Sequence, residues 1–167
     1  MGPPRLAHVT CNEYTKFHYI SKKLFRKYFK FSICRNPYAR TYSLYKYTTS
    51  QAISFDSFVL DLKEKFSKEE HFWFIRPQTD FIFKKNGGLA IDFLGKLETI
   101  DKDFMYISKK SRLNVFNLPK RNISKAKAQN NFEINSVEDI KKSLSSQAKK
   151  IIIELYGKDF ELLNYEI

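Results

Sequence analysis

Apolar positions recur along the chain in runs and at helical spacing, and turn residues separate them. Tyr28-Phe29-Lys30-Phe31-Ser32-Ile33-Cys34 is a short aromatic and β-branched run closed by Arg35-Asn36-Pro37. It reads as a buried strand running into a turn. Asn36 is then suited to cap a helix and Pro37 to fill its first position, with Tyr38, Tyr42 and Tyr45 at helical spacing through Lys46. Ser54 is placed to cap a further helix whose Phe58, Val59, Leu62 and Phe66 fall on one face. Asn86-Gly87-Gly88 makes a turn, and Leu89 to Leu94 has the apolar density of a core strand. Thr99 heads a helix with Ile100, Phe104 and Ile107 inward. Ser136 with Asp139 is a capping-box signature that opens one long helix reaching Gly157. Strands alternating with helices predict an α/β domain with a largely parallel sheet flanked by helices.

The 167 residues fit one domain, 1–167, with core enough to fold but short for a complete nucleotide-dependent transferase. Sixteen Phe and ten Tyr make that core aromatic and exclude compositional disorder. Cys11 and Cys34, 23 positions apart, support neither a disulfide framework nor a zinc site, and three scattered His add no ligand spacing. No metal is expected. The chain shows no long apolar span and no secretory leader pattern, so a soluble, cytoplasmic protein is expected, with peripheral membrane association left open.

Charge changes the picture in one place. The net charge is +12, and residues 1–50 hold ten Lys or Arg against the single acid Glu13. An anionic partner near the first third follows. Within it, Arg35-Asn36-Pro37-Tyr38-Ala39-Arg40-Thr41-Tyr42-Ser43-Leu44-Tyr45 sets an Arg at a strand end and a Ser inside the next helix. A guanidinium fork, a helix start with unsatisfied N–H groups and a hydroxyl are three kinds of donor for one phosphate dianion.

This segment resembles the motif Arg-[Asn/Asp]-Pro-x-x-Arg-x-x-Ser-x-Tyr of the carbohydrate-type sulfotransferases (sulfotransferase family 2-like). Further matches follow in order: His71-Phe72-Trp73, Pro77-Gln78-Thr79-Asp80, Ile91 to Glu98 with Asp103-Phe104, Leu118-Pro119 with Asn122, and Tyr156, Asp159-Phe160 and Tyr165. The resemblance implies a partial P-loop-like parallel sheet and 3′-phosphoadenosine 5′-phosphosulfate as co-substrate, with Arg35 and Ser43 on its 3′-phosphate. It makes His8 the base that takes the proton of a glycan hydroxyl. It adds Lys120 and Arg121 as further donor contacts. His18 and His71 read as packing residues.

Family members usually open with a strand and a Pro-Lys-x-Gly-[Thr/Gly]-[Thr/Ser]-like loop that holds the 5′-phosphosulfate, and no such segment occurs here. The expectation is therefore a sulfotransferase lacking its first strand and phosphosulfate loop, either an incomplete piece of a longer enzyme or a decayed homologue, with activity undecided. The alternatives are a non-catalytic homologue that keeps the 3′-phosphate site, and a basic nucleic-acid-binding module. No RNP, KH, helix-turn-helix or zinc-finger pattern supports the last. Acceptor identity and oligomeric state are not legible.

Overall fold

The computed structural model describes residues 8–49, 53–113, 115, 118 and 136–167. In chain order its elements are α1 (Cys11–Lys16), α2 (Lys22–Lys27), β1 (Phe31–Cys34), α3 (Pro37–Thr48), α4 (Phe55–Leu60), α5 (Leu62–Lys65), α6 (Glu69–Phe72) and α7 (Thr79–Ile82). They continue with β2 (Phe93–Lys96), α8 (Ile100–Ser111), α9 (Val137–Lys142) and α10 (Ser146–Leu162). The architecture is α/β, a parallel two-stranded sheet with helices. The chain divides into two compact units, Met1–Cys34 with Pro77–Leu118, and Arg35–Arg76 with Pro119–Ile167.

In the first unit β1 and β2 pair in parallel, Phe31 opposite Phe93 and Cys34 opposite Lys96. The second strand lies later than its apolar run predicts. The Asp92 carboxylate accepts from Lys30 N (2.8 Å) and Lys30 Nζ (2.6 Å), and Phe93 N donates to Lys30 O (3.1 Å). These bonds fix where pairing begins, so Leu89 instead forms an antiparallel bridge with Phe83 across a turn in which Gly87 has φ +81°. The first strand is also shorter and less buried than expected, with Phe31 45% exposed.

Helix α8 packs on β2 at Gly95, where a Cβ would stand 2.8 Å from Ile33 Cδ1 and 3.1 Å from Asp103 Cβ. Gly95→Val should therefore cost about 1–3 kcal/mol, the usual penalty of overpacking, read by chemical denaturation. Asp103 ties the same turn, accepting from Lys96 N (2.8 Å) and Thr99 Oγ1 (2.7 Å). The Lys96 N–H, and then the Thr99 hydroxyl, hold its carboxyl below the usual range. Its contribution is present above the unfolded carboxyl pKa of about 3.9 and is lost as pH falls through the lower folded value. Asp103→Asn should remove that acid-side slope from the curve of Tm against pH while leaving the neutral limb parallel to wild type.

The second unit is helical, and its core follows the expected faces through Ala148, beyond which Ile152 is buried while Ile151 and Leu155, expected inward, are half-buried. Phe58, Val59, Leu62 and Phe66 are buried, as are Ile140, Leu144, Ala148 and Ile152. Ser54 caps α4 by accepting from Ser57 N (3.1 Å), and Ser136 with Asp139 forms the capping box of α9. The long helix expected after Ser136 is two. Ser145 accepts from Ala148 N (3.2 Å) as a new cap, and its own N–H donates to Asp56 Oδ1 (2.7 Å), which stops α9 and restarts the chain as α10. The backbone leaves helical angles at Tyr156 (φ −121°, ψ 19°), one residue before the expected stop at Gly157, and beyond that kink a further helical segment reaches Leu162.

Candidate phosphate-binding site

Arg35 and Asn36 lie between β1 and α3 in the chain, and they determine what the helix start offers. Asn36 is buried, and its Oδ1 accepts from Tyr38 N (2.9 Å) and Ala39 N (3.4 Å). Pro37 has no N–H, so all three leading positions of α3 are without a donor for a ligand. This corrects the expectation that unsatisfied N–H groups help hold an anion there. What the helix start contributes is its partial positive charge.

Arg35, half-buried just ahead of the cap, is engaged with another group of the protein. Ser43 is seven residues past Asn36, which at 3.6 residues per turn returns it to the same side of α3 about two turns along. Thr41 and Thr48 donate their hydroxyls back to Pro37 O (2.8 Å) and Leu44 O (2.9 Å). The half-buried Ser43 hydroxyl has no hydrogen-bond partner among the described residues. From Glu13 to Asp56 the sequence contains no acid, so no carboxylate in that stretch competes for an anion. A half-buried guanidinium ahead of the helix and, two turns along it, a hydroxyl without a hydrogen-bond partner among the described residues are groups of the kinds that bind phosphate.

The second arginine of the motif has a different role, which the sequence did not disclose. Arg40 Nη2 donates to Phe74 O (3.2 Å) and Arg76 O (2.7 Å), and the guanidinium lies 5.3 Å from the centre of the Tyr156 ring. It ties α3 to the 74–76 segment and to α10. Its Nη1 is buried without a hydrogen-bond partner among the described residues. Burial pushes the Tyr156 hydroxyl above its ordinary range, so it stays protonated against the cation. The only sequence signal for this role was the fixed spacing of Arg40 from Arg35.

His8 belongs to the first unit, half-buried two residues before Thr10, which caps α1 in a capping box with Glu13. Lys120 and Arg121 lie outside the described residues. His18 and His71 are exposed rather than packed, and His18 takes φ 59° in the turn after α1. Among the described residues no group of His, Cys, Asp and Glu is arranged to hold a metal ion. No helix there is long and apolar enough to cross a membrane.

The arrangement of Arg35, the capped α3 and Ser43 lies inside a longer likeness: a model of the sulfotransferase family matches residues 4–166. The chain belongs to the sulfotransferase family. The match of this sulfotransferase-family chain runs through both compact units, and it supports sulfuryl transfer as the general activity. Searches of curated proteins and of solved structures returned no match.

Proposed function

We propose that this sulfotransferase-family chain binds 3′-phosphoadenosine 5′-phosphosulfate and directs its sulfuryl group to a glycan hydroxyl. The reading is supported by the placing of Arg35 just ahead of a closed Asn36 cap and, two turns along the helix that follows, of a Ser43 hydroxyl with no hydrogen-bond partner among the described residues. Arg35 and Ser43 hold the 3′-phosphate in this reading. His8 takes the proton of the acceptor hydroxyl as its oxygen bonds to sulfur and the bond from sulfur to the leaving phosphate breaks. Lys120 and Arg121 add charge on the donor side.

The leaving phosphate needs its own donors, and the sequence has no Lys-x-Gly-Thr-like loop to supply them. Loss of even one such donor commonly costs about 100-fold to 1,000-fold in rate. Binding and turnover therefore separate: residues 1–167 are expected to bind the nucleotide while transferring sulfate to the glycan about 100-fold or more slowly than a chain that has such a loop. That behaviour also describes a non-catalytic homologue that keeps the 3′-phosphate site.

Isothermal titration of the folded chain with 3′-phosphoadenosine 5′-phosphate tests the reading, and saturable heat at one site is expected. A flat titration from a sample with a cooperative thermal transition contradicts it. Any labelled sulfate that the chain transfers should appear on glycans in a mixed acceptor panel; product on phenols alone would reject the acceptor class.

A further inference from the structure

The first unit carries an exposed surface that includes none of the residues assigned above to the nucleotide. Residues 14–31 read Tyr-Thr-Lys-Phe-His-Tyr-Ile-Ser-Lys-Lys-Leu-Phe-Arg-Lys-Tyr-Phe-Lys-Phe, with six Lys or Arg, seven Phe or Tyr and no acid. Helices α1 and α2 are too short to bury these side chains between themselves. Phe17, Tyr19, Leu24, Tyr28 and Phe31 are 39–53% exposed. Large apolar side chains concentrated in water mark a surface made to meet something.

Two adjoining clefts give that surface its chemistry. One, of about 430 Å³, is bordered by Lys22, Arg26, Lys30 and Lys84. Its one acid, Asp92, is already bonded to Lys30 at 2.6 Å. Lys22, Arg26 and Lys84 have exposed side chains that reach solvent there. The other cleft, of about 250 Å³, is walled by Tyr14, Ile20, Phe25, Tyr28, Phe29 and Phe31. The clefts share Cys11, Phe25, Lys30 and Ile91, so cationic and apolar surface meet along one line. Lys30 marks the boundary, its Nζ 5.5 Å from the Phe25 ring centre.

From this we infer that this face of the first unit docks on an anionic lipid bilayer, phospholipid phosphates meeting the cationic cleft and the exposed aromatic side chains entering the headgroup boundary. Aromatic rings and the stems of Lys and Arg favour that boundary, where one end is apolar and the other is wet. Cations near an anionic leaflet add attraction that salt screens. A single-stranded nucleic acid would also meet the charge, but its bases need open ring faces. Here Phe25 and Phe29 wall a cleft, and Phe29 stacks on Phe31 at 6.2 Å.

The test is flotation of the 167-residue chain with vesicles of phosphatidylcholine alone and with 30% phosphatidylglycerol added. Binding to the anionic vesicles only, lost in 0.5 M NaCl, is expected. Lys22→Gln/Arg26→Gln/Lys84→Gln should lower the partition coefficient about 100-fold, at about fivefold for each cation. Lys102→Gln/Lys142→Gln/Lys150→Gln removes the same charge elsewhere and should leave partitioning nearly unchanged. Tyr28→Ser should weaken binding without changing the salt response, and each variant's thermal transition verifies its fold. No flotation, equal flotation with neutral vesicles, equal loss in both triple variants, or displacement of vesicle-bound chain by a uridine 20-mer at lower concentration than lipid would each overturn the inference. The inference is independent of the nucleotide site, because the cleft triple variant should titrate with 3′-phosphoadenosine 5′-phosphate as wild type does.

Discussion

Arg35→Ala should weaken binding of 3′-phosphoadenosine 5′-phosphate by about 100-fold, the loss of two charge-assisted hydrogen bonds to one phosphate at about 1.5 kcal/mol each. Stability should change by about 1 kcal/mol, the usual scale for losing one contact of a half-buried side chain, because Arg35 is engaged with another group of the protein. Arg35→Lys should recover only a fraction of the affinity, since an ammonium keeps the charge but not the planar fork. Calorimetric titration together with thermal unfolding separates the two effects.

The opposite pattern is expected five residues later. Arg40→Ala leaves the carbonyls of Phe74 and Arg76 without their donor and removes the cation from the face of Tyr156. Two hydrogen bonds from a charged donor in a partly buried setting put the loss at about 2–4 kcal/mol, enough to lower Tm by several degrees or more. Arg40→Lys should restore less than half, because one ammonium cannot span both carbonyls as the guanidinium does. Arg35 and Arg40 thus separate under mutation into a binding effect and a folding effect, although the motif presents them as a pair.

That contrast shows what a linear reading reaches. The start of α3 at Asn36 and Pro37, the cap at Ser54 and the capping box at Ser136 were legible because each involves residues within three or four positions. The partners of Arg40 lie 34 and 36 residues away, beyond any local signal. The start of β2 was displaced because Asp92 answers to Lys30, 62 residues earlier, and pairing overrides apolar density. The break between α9 and α10 was missed because Ser143-Leu144-Ser145 keeps the helical spacing of apolar residues while its hydroxyls and Asp56 redirect the backbone.

The candidate site was half legible for the same reason. Arg35 and Ser43 belong to one short motif, so α3 alone settles which side of it Ser43 takes. The helix N–H groups were assigned to the ligand because the motif shows Asn36 as a cap without showing how many donors it consumes. Its single Oδ1 takes two. Lys120 and Arg121 fall outside the described residues, and the sequence gives them only their basic character.

The most direct measurement of the central claim is the affinity ratio between 3′-phosphoadenosine 5′-phosphate and adenosine 5′-phosphate, which differ by the 3′-phosphate alone. It should be taken for wild type, Arg35→Ala, Ser43→Ala and the double variant. The account predicts a wild-type ratio of at least about 100, a smaller ratio in each single variant, and a ratio near one in the double variant. A ratio that stays the same across all four chains would contradict it, because the 3′-phosphate would then be held by other residues or by none.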